Sequence, residues 1–188
     1  MKNKVQKGNF RYLAYKKKFS AFMTIGMFSL SLAIYLMGYL TTKTNANLLT
    51  VVAVLGCLPS SKSAVSMIMY IKAKGATEED KTVIEEVKGN LYGYYDLYFT
   101  GYQKNFPINH LTVTNDSIVA YSSDAKITEK EFNEHIKDLL NKERIHDITI
   151  KLFTDRQKYC NRLVELNHLE SDTTARKDIV QMLFNVSL

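Results

Sequence analysis

The sequence predicts an α+β protein in which an N-terminal two-helix transmembrane hairpin precedes a small C-terminal α/β domain. Two long apolar stretches, residues 20–40 and 47–71, lie ahead of residues 76–188, where short apolar segments alternate with polar ones. The first stretch has 21 residues without a charge, and the second has 25 residues whose one charge is Lys62. About 20 apolar residues span the hydrocarbon core of a bilayer, so each stretch is long enough to cross it.

The net charge of +6 is distributed unevenly along the chain. Residues 1–74 contain 11 basic and no acidic side chains, whereas residues 75–188 contain 14 basic and 19 acidic ones. The basic excess therefore belongs to the hairpin region, which argues against a nucleic-acid-binding domain. Basic residues precede the first span and follow the second, and the link at 41–46 carries Lys43 alone. The positive-inside rule then predicts a multi-pass protein of the cell membrane with both termini in the cytoplasm.

The basic N-terminal segment, residues 1–19, is interpreted as a topology signal, with recognition of anionic lipid as the alternative. Cys57 and Cys160 are too few and too far apart for a disulfide framework, which indicates a reducing compartment. The four histidines lack the spacing of metal ligands, and no glycine-rich phosphate-binding loop occurs. We therefore predict neither a metal ion nor an organic cofactor.

The second span contains an unusual polar segment made of Pro59, Ser60, Ser61, Lys62 and Ser63. Proline removes a backbone donor, and neighbouring serines can bond the carbonyls that it frees. A lysine near the middle of a span costs about 2.5–3.5 kcal/mol, so it is usually paired, solvated or functional. We predict a continuous, kinked span whose Lys62 faces a partner. The alternative ends the span just before Pro59 and lays the following residues along the cytoplasmic interface.

The domain begins with a predicted helix that runs from an N-cap at Thr77 to about Lys88, with three acidic residues in its first turn. Apolar and polar residues then alternate over 94–100, as in a strand. One face of that strand is expected to carry Tyr95, Leu97 and Phe99.

A hairpin follows, with strands at 108–114 and 117–122 joined by an Asn115–Asp116 turn. A capping box formed by Thr128 and Glu131 begins the next helix.

A strand at 146–153, a helix from Asp155 and a last helix from Ser171 or Asp172 complete the domain. The predicted order in residues 76–188 is α-β-β-β-α-β-α-α.

The element order and the hairpin carry a resemblance to a known superfamily. Residues 108–124 read Ile-Asn-His-Leu-Thr-Val-Thr-Asn-Asp-Ser-Ile-Val-Ala-Tyr-Ser-Ser-Asp. This resembles the central hairpin of nuclease-related domains of the restriction-endonuclease-like superfamily, which typically reads Ile-Asp-His and ends in Glu-x-Lys. In that superfamily the aspartate and glutamate hold a divalent cation, and the lysine helps to position the attacking water.

Three substitutions stand at the positions that the resemblance assigns to catalysis. Asn109 replaces the aspartate, Ser122 the glutamate and Asp124 the lysine. Because hard cations such as Mg²⁺ are usually held by carboxylates, the resemblance implies a pseudoenzyme that lacks the catalytic site.

Three functional hypotheses remain at this stage. The favoured one is a non-enzymatic, membrane-anchored regulator or assembly subunit whose cytoplasmic domain binds or positions a protein partner. The second is a membrane-bound metal-dependent nuclease with relocated ligands such as Asp96 and Asp116. The third is a homo-oligomeric transport or pore accessory in which Lys62 lines a wet cavity. The abundance of Lys, Asn, Ile and Tyr without Trp is typical of an AT-rich bacterial source.

Overall fold

The structure is a computed structural model that describes residues 6–101, 104–168 and 176–188. These residues belong to two compact units. One unit comprises Ala14–Ala73, and the other combines Met1–Leu13 with Lys74–Leu188. The predicted fold class and order of elements are confirmed: two long apolar helices come first, and a mixed sheet with helices follows.

The first unit, Ala14–Ala73, contains nearly all of two long helices, α1 at Tyr12–Thr42 and α2 at Leu48–Lys72. The first two residues of α1, Tyr12 and Leu13, belong to the other unit. Both helices are long and apolar enough to cross a membrane. The side chain of Asn47 caps α2 by accepting a hydrogen bond from the backbone N–H of Thr50 at 2.8 Å. This bond satisfies one of the amides that a helix start leaves without an intrahelical partner.

Helix α2 continues through Pro59 without interruption, as expected for a second span that is one continuous helix. Proline cannot donate to the carbonyl four residues earlier. The hydroxyls of Ser60 and Ser61 donate to the next two carbonyls, those of Gly56 and Cys57, each at 2.8 Å. These bonds satisfy the two serine hydroxyls within α2 itself.

The second unit is a four-stranded sheet with helices on both faces. Its elements are α3 Glu78–Val87, β1 Gly93–Thr100, β2 Asn105–Val113, β3 Ser117–Tyr121, α4 Glu129–Lys142, β4 Thr149–Phe153, α5 Arg156–His168 and α6 Lys177–Val186. The strands lie in the order β1-β2-β3-β4. The pairs β1–β2 and β2–β3 are antiparallel, and β4 is parallel to β3 after the crossover through α4.

The two threonine caps that were predicted for helices of this unit are confirmed. Thr77 caps α3 in a capping box with Asp80, and Thr128 caps α4 in a capping box with Glu131. In each box the threonine hydroxyl accepts a backbone N–H and the acidic side chain accepts the N–H of the threonine. The predicted start of the last helix, at Ser171 or Asp172, lies outside the described residues.

Two apolar clusters fill the spaces on the two faces of the sheet. The first cluster packs α4 and α6 against the sheet through Phe132, Ile136, Ile179 and Leu183. The second packs α3 and α5 against the opposite face, and Tyr159 of α5 is fully buried in it. The unit is therefore a three-layer sandwich with helices on both sides of the sheet.

The alternation of side chains breaks in the middle of β1. Tyr95 packs in the second cluster, whereas Leu97 packs in the first, so the prediction that both share one face is wrong. The cause is Asp96, whose φ of +57° places its backbone in the left-handed region. A residue in that conformation rotates the chain, so the side chains before and after it leave the sheet on opposite faces.

The N-terminal segment and the C-terminus cover the edge strand β1. The carbonyl of Gly8 accepts the N–H of Tyr95 at 2.7 Å, and the N–H of Leu188 donates to the carbonyl of Tyr98 at 2.9 Å. Edge strands present unpaired backbone groups that can pair with other chains. These bonds engage part of that edge within the unit itself.

Candidate functional site

The structure brings Asn109 and Ser122 together beside the connection that follows β3. Both are buried, and both side chains bond the backbone. The Asn109 side-chain oxygen accepts the N–H of Ser123 at 2.7 Å, and the Ser122 hydroxyl donates to the carbonyl of Pro107 at 2.6 Å. These two positions, which the resemblance assigns to metal ligands, shape the turn after β3.

Asp124 continues the same network. Its N–H donates to the Ser122 hydroxyl at 3.2 Å, and its carboxylate accepts the N–H of Lys126 at 3.1 Å. An aspartate that bonds the N–H two residues further on forms an Asx-turn. Asp124 therefore helps to hold the short connection that leads into α4.

The two aspartates considered as relocated metal ligands are not brought together. Asp96 lies in the middle of β1, and Asp116 lies in the turn after β2, where it accepts a hydrogen bond from the Thr114 hydroxyl at 3.0 Å. Within residues 6–101, 104–168 and 176–188, no group of three or more histidine, cysteine, aspartate or glutamate side chains is placed to hold a metal ion.

Asp96 instead bonds the backbone at the two points where the chain enters and leaves the hairpin unit. Its carboxylate is 2% exposed, accepts the N–H of Ala76 at 2.7 Å, and also bonds the backbone of Arg11, Tyr12 and Leu13. Burial raises the pKa of Asp96, and the backbone donors act in the opposite direction. The sequence offered one signal of this role, an acidic residue inside an otherwise aromatic strand.

His110 is a buried core residue on β2. Its Nδ1 lies 2.5 Å from the hydroxyl oxygen of Tyr159, and the hydroxyl of Thr112 lies 3.4 Å from the same oxygen. Burial lowers the pKa of His110 to about 3, so the imidazole is neutral at pH 7. Its Nε2 has no hydrogen-bond partner among the described residues.

The predicted intramembrane polar segment divides between two faces of α2. Ser60 is fully buried, and the hydroxyl of Ser63 lies 2.8 Å from that of Thr24 on α1. Pro59, Ser61 and Lys62 are exposed. Ser60 and Ser63 thus lie on the side of α2 that faces α1, whereas Ser61 and Lys62 lie on its exposed side.

The contacts between α1 and α2 fix the level of Lys62 along the hairpin. Thr24 meets Ser63, and a Cβ added to Gly56 would meet the Ser31 hydroxyl at 2.8 Å. In this antiparallel register Lys62 is level with residue 25, five residues from the centre of the predicted span at 20–40. At 1.5 Å per residue it lies roughly 7–8 Å from that centre.

No protein-family model, curated protein or solved structure matches the chain. The resemblance to restriction-endonuclease-like domains therefore stays a prediction from element order and hairpin sequence. By geometry, this chain combines a pair of helices that could span a membrane with a three-layer α/β/α domain.

Proposed function

We propose that the protein is anchored in the cell membrane by α1 and α2 and that its α/β domain, without enzymatic activity, binds or positions a protein partner at the cytoplasmic surface. The observation that carries this proposal is the reversed distribution of polar and apolar side chains in the helix pair.

The helix pair buries small polar side chains and exposes large apolar ones. Its buried positions include Ser20, Thr24, Ser31 and Ser60. Among the described residues, every large exposed apolar side chain except Tyr92 and Val164 belongs to α1 or α2. In water the outer apolar side chains would stay exposed, so they would contribute no hydrophobic stabilisation. In lipid the same side chains are surrounded by apolar acyl chains.

The distribution of charge supports the proposed orientation. Lys16, Lys17 and Lys18 lie near the start of α1, and Lys72 lies at the end of α2. The link between the helices carries Lys43 alone. Under the positive-inside rule, the lysine-rich end of the hairpin and the attached domain face the cytoplasm.

The bonding of Asn109, Ser122 and Asp124 supports a non-catalytic domain. Two of these residues lack the carboxylate that a hard cation requires, and all three bond the backbone around the turn after β3. A domain in which these side chains bond the backbone in place of a metal ion is suited to serve as a binding module. We propose that its partner is a protein, because the domain has an acidic net charge that disfavours nucleic acid.

The test uses the full chain in cells with an affinity tag at its C-terminus. We expect the protein to stay in the membrane pellet after alkaline carbonate extraction, and its domain to resist protease added outside intact cells. Affinity purification from mild detergent should recover a specific protein. A control in which an unrelated soluble domain replaces residues 76–188 should not recover it.

Two results would contradict the proposal. Recovery of the full chain in the soluble fraction without detergent would contradict the proposed anchoring in the membrane. Cleavage of DNA or RNA by the purified protein with Mg²⁺ or Mn²⁺, sensitive to Asp96→Asn or Asp116→Asn, would favour the nuclease with relocated ligands.

A further inference from the structure

We infer that the exposed side of α2 binds a transmembrane helix of a partner protein, which places a carboxylate at the level of Lys62. This inference rests on the proposed membrane anchoring and adds the chemistry by which a partner is recognised inside the bilayer. It is carried by a charged side chain on the exposed side of an apolar helix.

Lys62 does not take part in the contact between the two long helices. Ser60 is fully buried, and Ser63 contacts Thr24 of α1. Because an α-helix turns by about 100° per residue, Lys62 is rotated by roughly 160° from Ser60 and by about 100° from Ser63. The lysine is exposed. Its charge therefore meets whatever surrounds this side of α2.

A row of exposed apolar side chains continues along α2 on both sides of Lys62. Its four members are each more than half exposed: Val51, Leu55, Leu58 and Val65. Together with Lys62 they follow each other at alternating spacings of four and three residues. One long helix packs along another by a row of this spacing, in water and in membranes. We call these five residues the Lys62 seam, and Lys62 is its one polar member.

The helix-pair unit has no carboxylate with which Lys62 could pair. Ala14–Ala73 contains six lysines and neither aspartate nor glutamate. An ionisable side chain inside a membrane is costly unless it is paired or solvated. A carboxylate is complementary to the lysine because it offsets the charge and accepts hydrogen bonds from the ammonium group, and both effects are stronger in a medium of low dielectric constant.

A second copy of this chain does not supply that carboxylate. In a symmetric pair of copies, equal residues lie at equal depth in the membrane, so Lys62 would meet Lys62. Two like charges repel each other, and Ala14–Ala73 of the copy is as free of acidic residues as the first. The occupant of the Lys62 seam is therefore a helix of a different protein.

The extent of the Lys62 seam favours a helix over a lipid headgroup. A lysine near the end of a span can extend its side chain to a headgroup phosphate. Val51 precedes Lys62 by 11 residues, however, and so lies roughly 16 Å further from the cytoplasmic end of α2. A headgroup at the membrane surface covers the lysine alone, whereas a partner helix covers the whole seam.

Energy transfer in intact cells tests the inference with a model transmembrane helix as the probe. The full chain carries a donor fluorescent protein at its C-terminus, and the model helix carries an acceptor at its cytoplasmic end. The model helix has about 21 leucine and alanine residues, with lysines at the cytoplasmic end to fix its orientation. One version has an aspartate level with Lys62, about five residues from the centre on the cytoplasmic side, and the other has leucine there. We expect about ten-fold stronger association with the aspartate version.

Three variants of the full chain separate the charge of Lys62 from the folding of α2. Lys62→Leu should reduce association with the aspartate version to that of the leucine version. Lys62→Arg keeps a positive charge at the same level and should keep the preference. Lys17→Gln removes a charge from an exposed position of α1 and should leave the preference unchanged.

The depth of the aspartate provides a control on the probe itself. Moving it by two helical turns towards the other side of the membrane keeps it on the same face of the model helix but shifts it by about 11 Å. Because the two charges then lie at different levels, association should fall to that of the leucine version.

Three outcomes would overturn the inference: equal association of the aspartate and leucine versions, a preference that survives Lys62→Leu, and a preference that survives the shift in depth. The first is expected if Lys62 meets only headgroups. Cell fractionation and protease added outside intact cells are applied to the donor in parallel. A soluble donor contradicts the membrane anchor, and a donor cut by the protease contradicts the proposed orientation. A protected, membrane-bound donor without the preference contradicts the Lys62 site alone.

Discussion

Thr24 on α1 and Ser63 on α2 join the two long helices through hydroxyl oxygens that lie 2.8 Å apart. Gly38, nearer the other end of the pair, closely approaches Leu49. Gly38 comes 14 residues after Thr24 on α1, and Leu49 comes 14 residues before Ser63 on α2. The two contacts therefore share a single antiparallel register. In lipid, where apolar side chains gain little by meeting each other, small residues and hydroxyl pairs provide the association.

This register predicts that Thr24→Cys and Ser63→Cys, combined in a Cys57→Ser background, form a disulfide under mild oxidation. The observed oxygen separation indicates side chains close enough for the 3.5–4.5 Å spacing of Cβ atoms that a disulfide needs. A mobility shift in non-reducing electrophoresis, reversed by reductant and absent in each single variant, measures it. Phe22→Cys paired with Ser63→Cys is the control, because Phe22 is 76% exposed.

Gly38 is predicted to be required for close approach of the helices. A Cβ at this position would lie 2.7 Å from the Asn47 side-chain oxygen and 2.8 Å from the Leu49 Cβ. We expect Gly38→Ala to lower stability by about 1–3 kcal/mol, the usual cost of overpacking. Thermal unfolding of the full chain in detergent measures the change.

The matched control for this substitution is Gly26→Ala on the same helix. An added Cβ at Gly26 meets nothing within 4 Å. Alanine there should be neutral or stabilising by up to about 1 kcal/mol, because glycine is the poorer helix former. Equal effects of the two substitutions would contradict the close approach at Gly38.

Features governed by local sequence could be predicted, and those that depend on distant contacts could not. The capping boxes at Thr77 and Thr128 are defined within four residues, so the sequence alone indicated both helix starts. The contact of Lys7 with the carbonyl of Phe184, at 2.7 Å, joins residues 177 positions apart and has no local signature. Its geometry exists only after α6 has packed on the sheet.

The candidate site shows the same division. The absence of carboxylates at Asn109 and Ser122 was visible in the sequence, whereas their use in bonding the turn was not. The faces on which the β1 side chains lie were predicted wrongly, because the alternation of side chains assumes an extended backbone at every residue. Asp96 violates that assumption, and four backbone donors from distant segments stabilise its conformation.

Asp96 is predicted to be among the most sensitive positions of the domain. Asp96→Ala leaves the backbone N–H groups of Arg11, Tyr12, Leu13 and Ala76 without this acceptor. Leaving buried donors unsatisfied costs about 1–3 kcal/mol each, so we expect loss of at least that amount. Calorimetry of the full chain in detergent, together with faster hydrogen exchange at Ala76, measures the effect.

Asp147 provides the matched control for Asp96. It is also an aspartate in the left-handed region, with φ of +62°, but it is exposed. Asp147→Ala should therefore measure only the cost of placing alanine in the left-handed backbone conformation. This cost is smaller than the loss of stability at Asp96, where the buried hydrogen bonds are lost as well. If the two alanine variants are destabilised equally, the bonds from Asp96 to the backbone of residues 11–13 and Ala76 do not stabilise the domain.

His110 predicts a pH dependence of stability. Its pKa of about 3 in the folded protein lies below the usual 6.5, so protonation favours the unfolded chain. The stability contributed by neutral His110 is fully present above pH 6.5 and is lost as the pH falls from 6.5 towards 3. At pH 5 the expected loss is about 2 kcal/mol relative to pH 7.

The measurement compares the unfolding free energy of the full chain with that of His110→Gln at several values between pH 5 and 7.5. Glutamine keeps a polar group near the Tyr159 hydroxyl but does not titrate in this range. Because Asp96 and the other acidic groups are common to both proteins, their contributions cancel in the difference. The difference should change by about 2 kcal/mol between pH 7 and 5. A difference that is constant with pH would show that His110 accepts a proton in the folded protein as readily as in the unfolded chain.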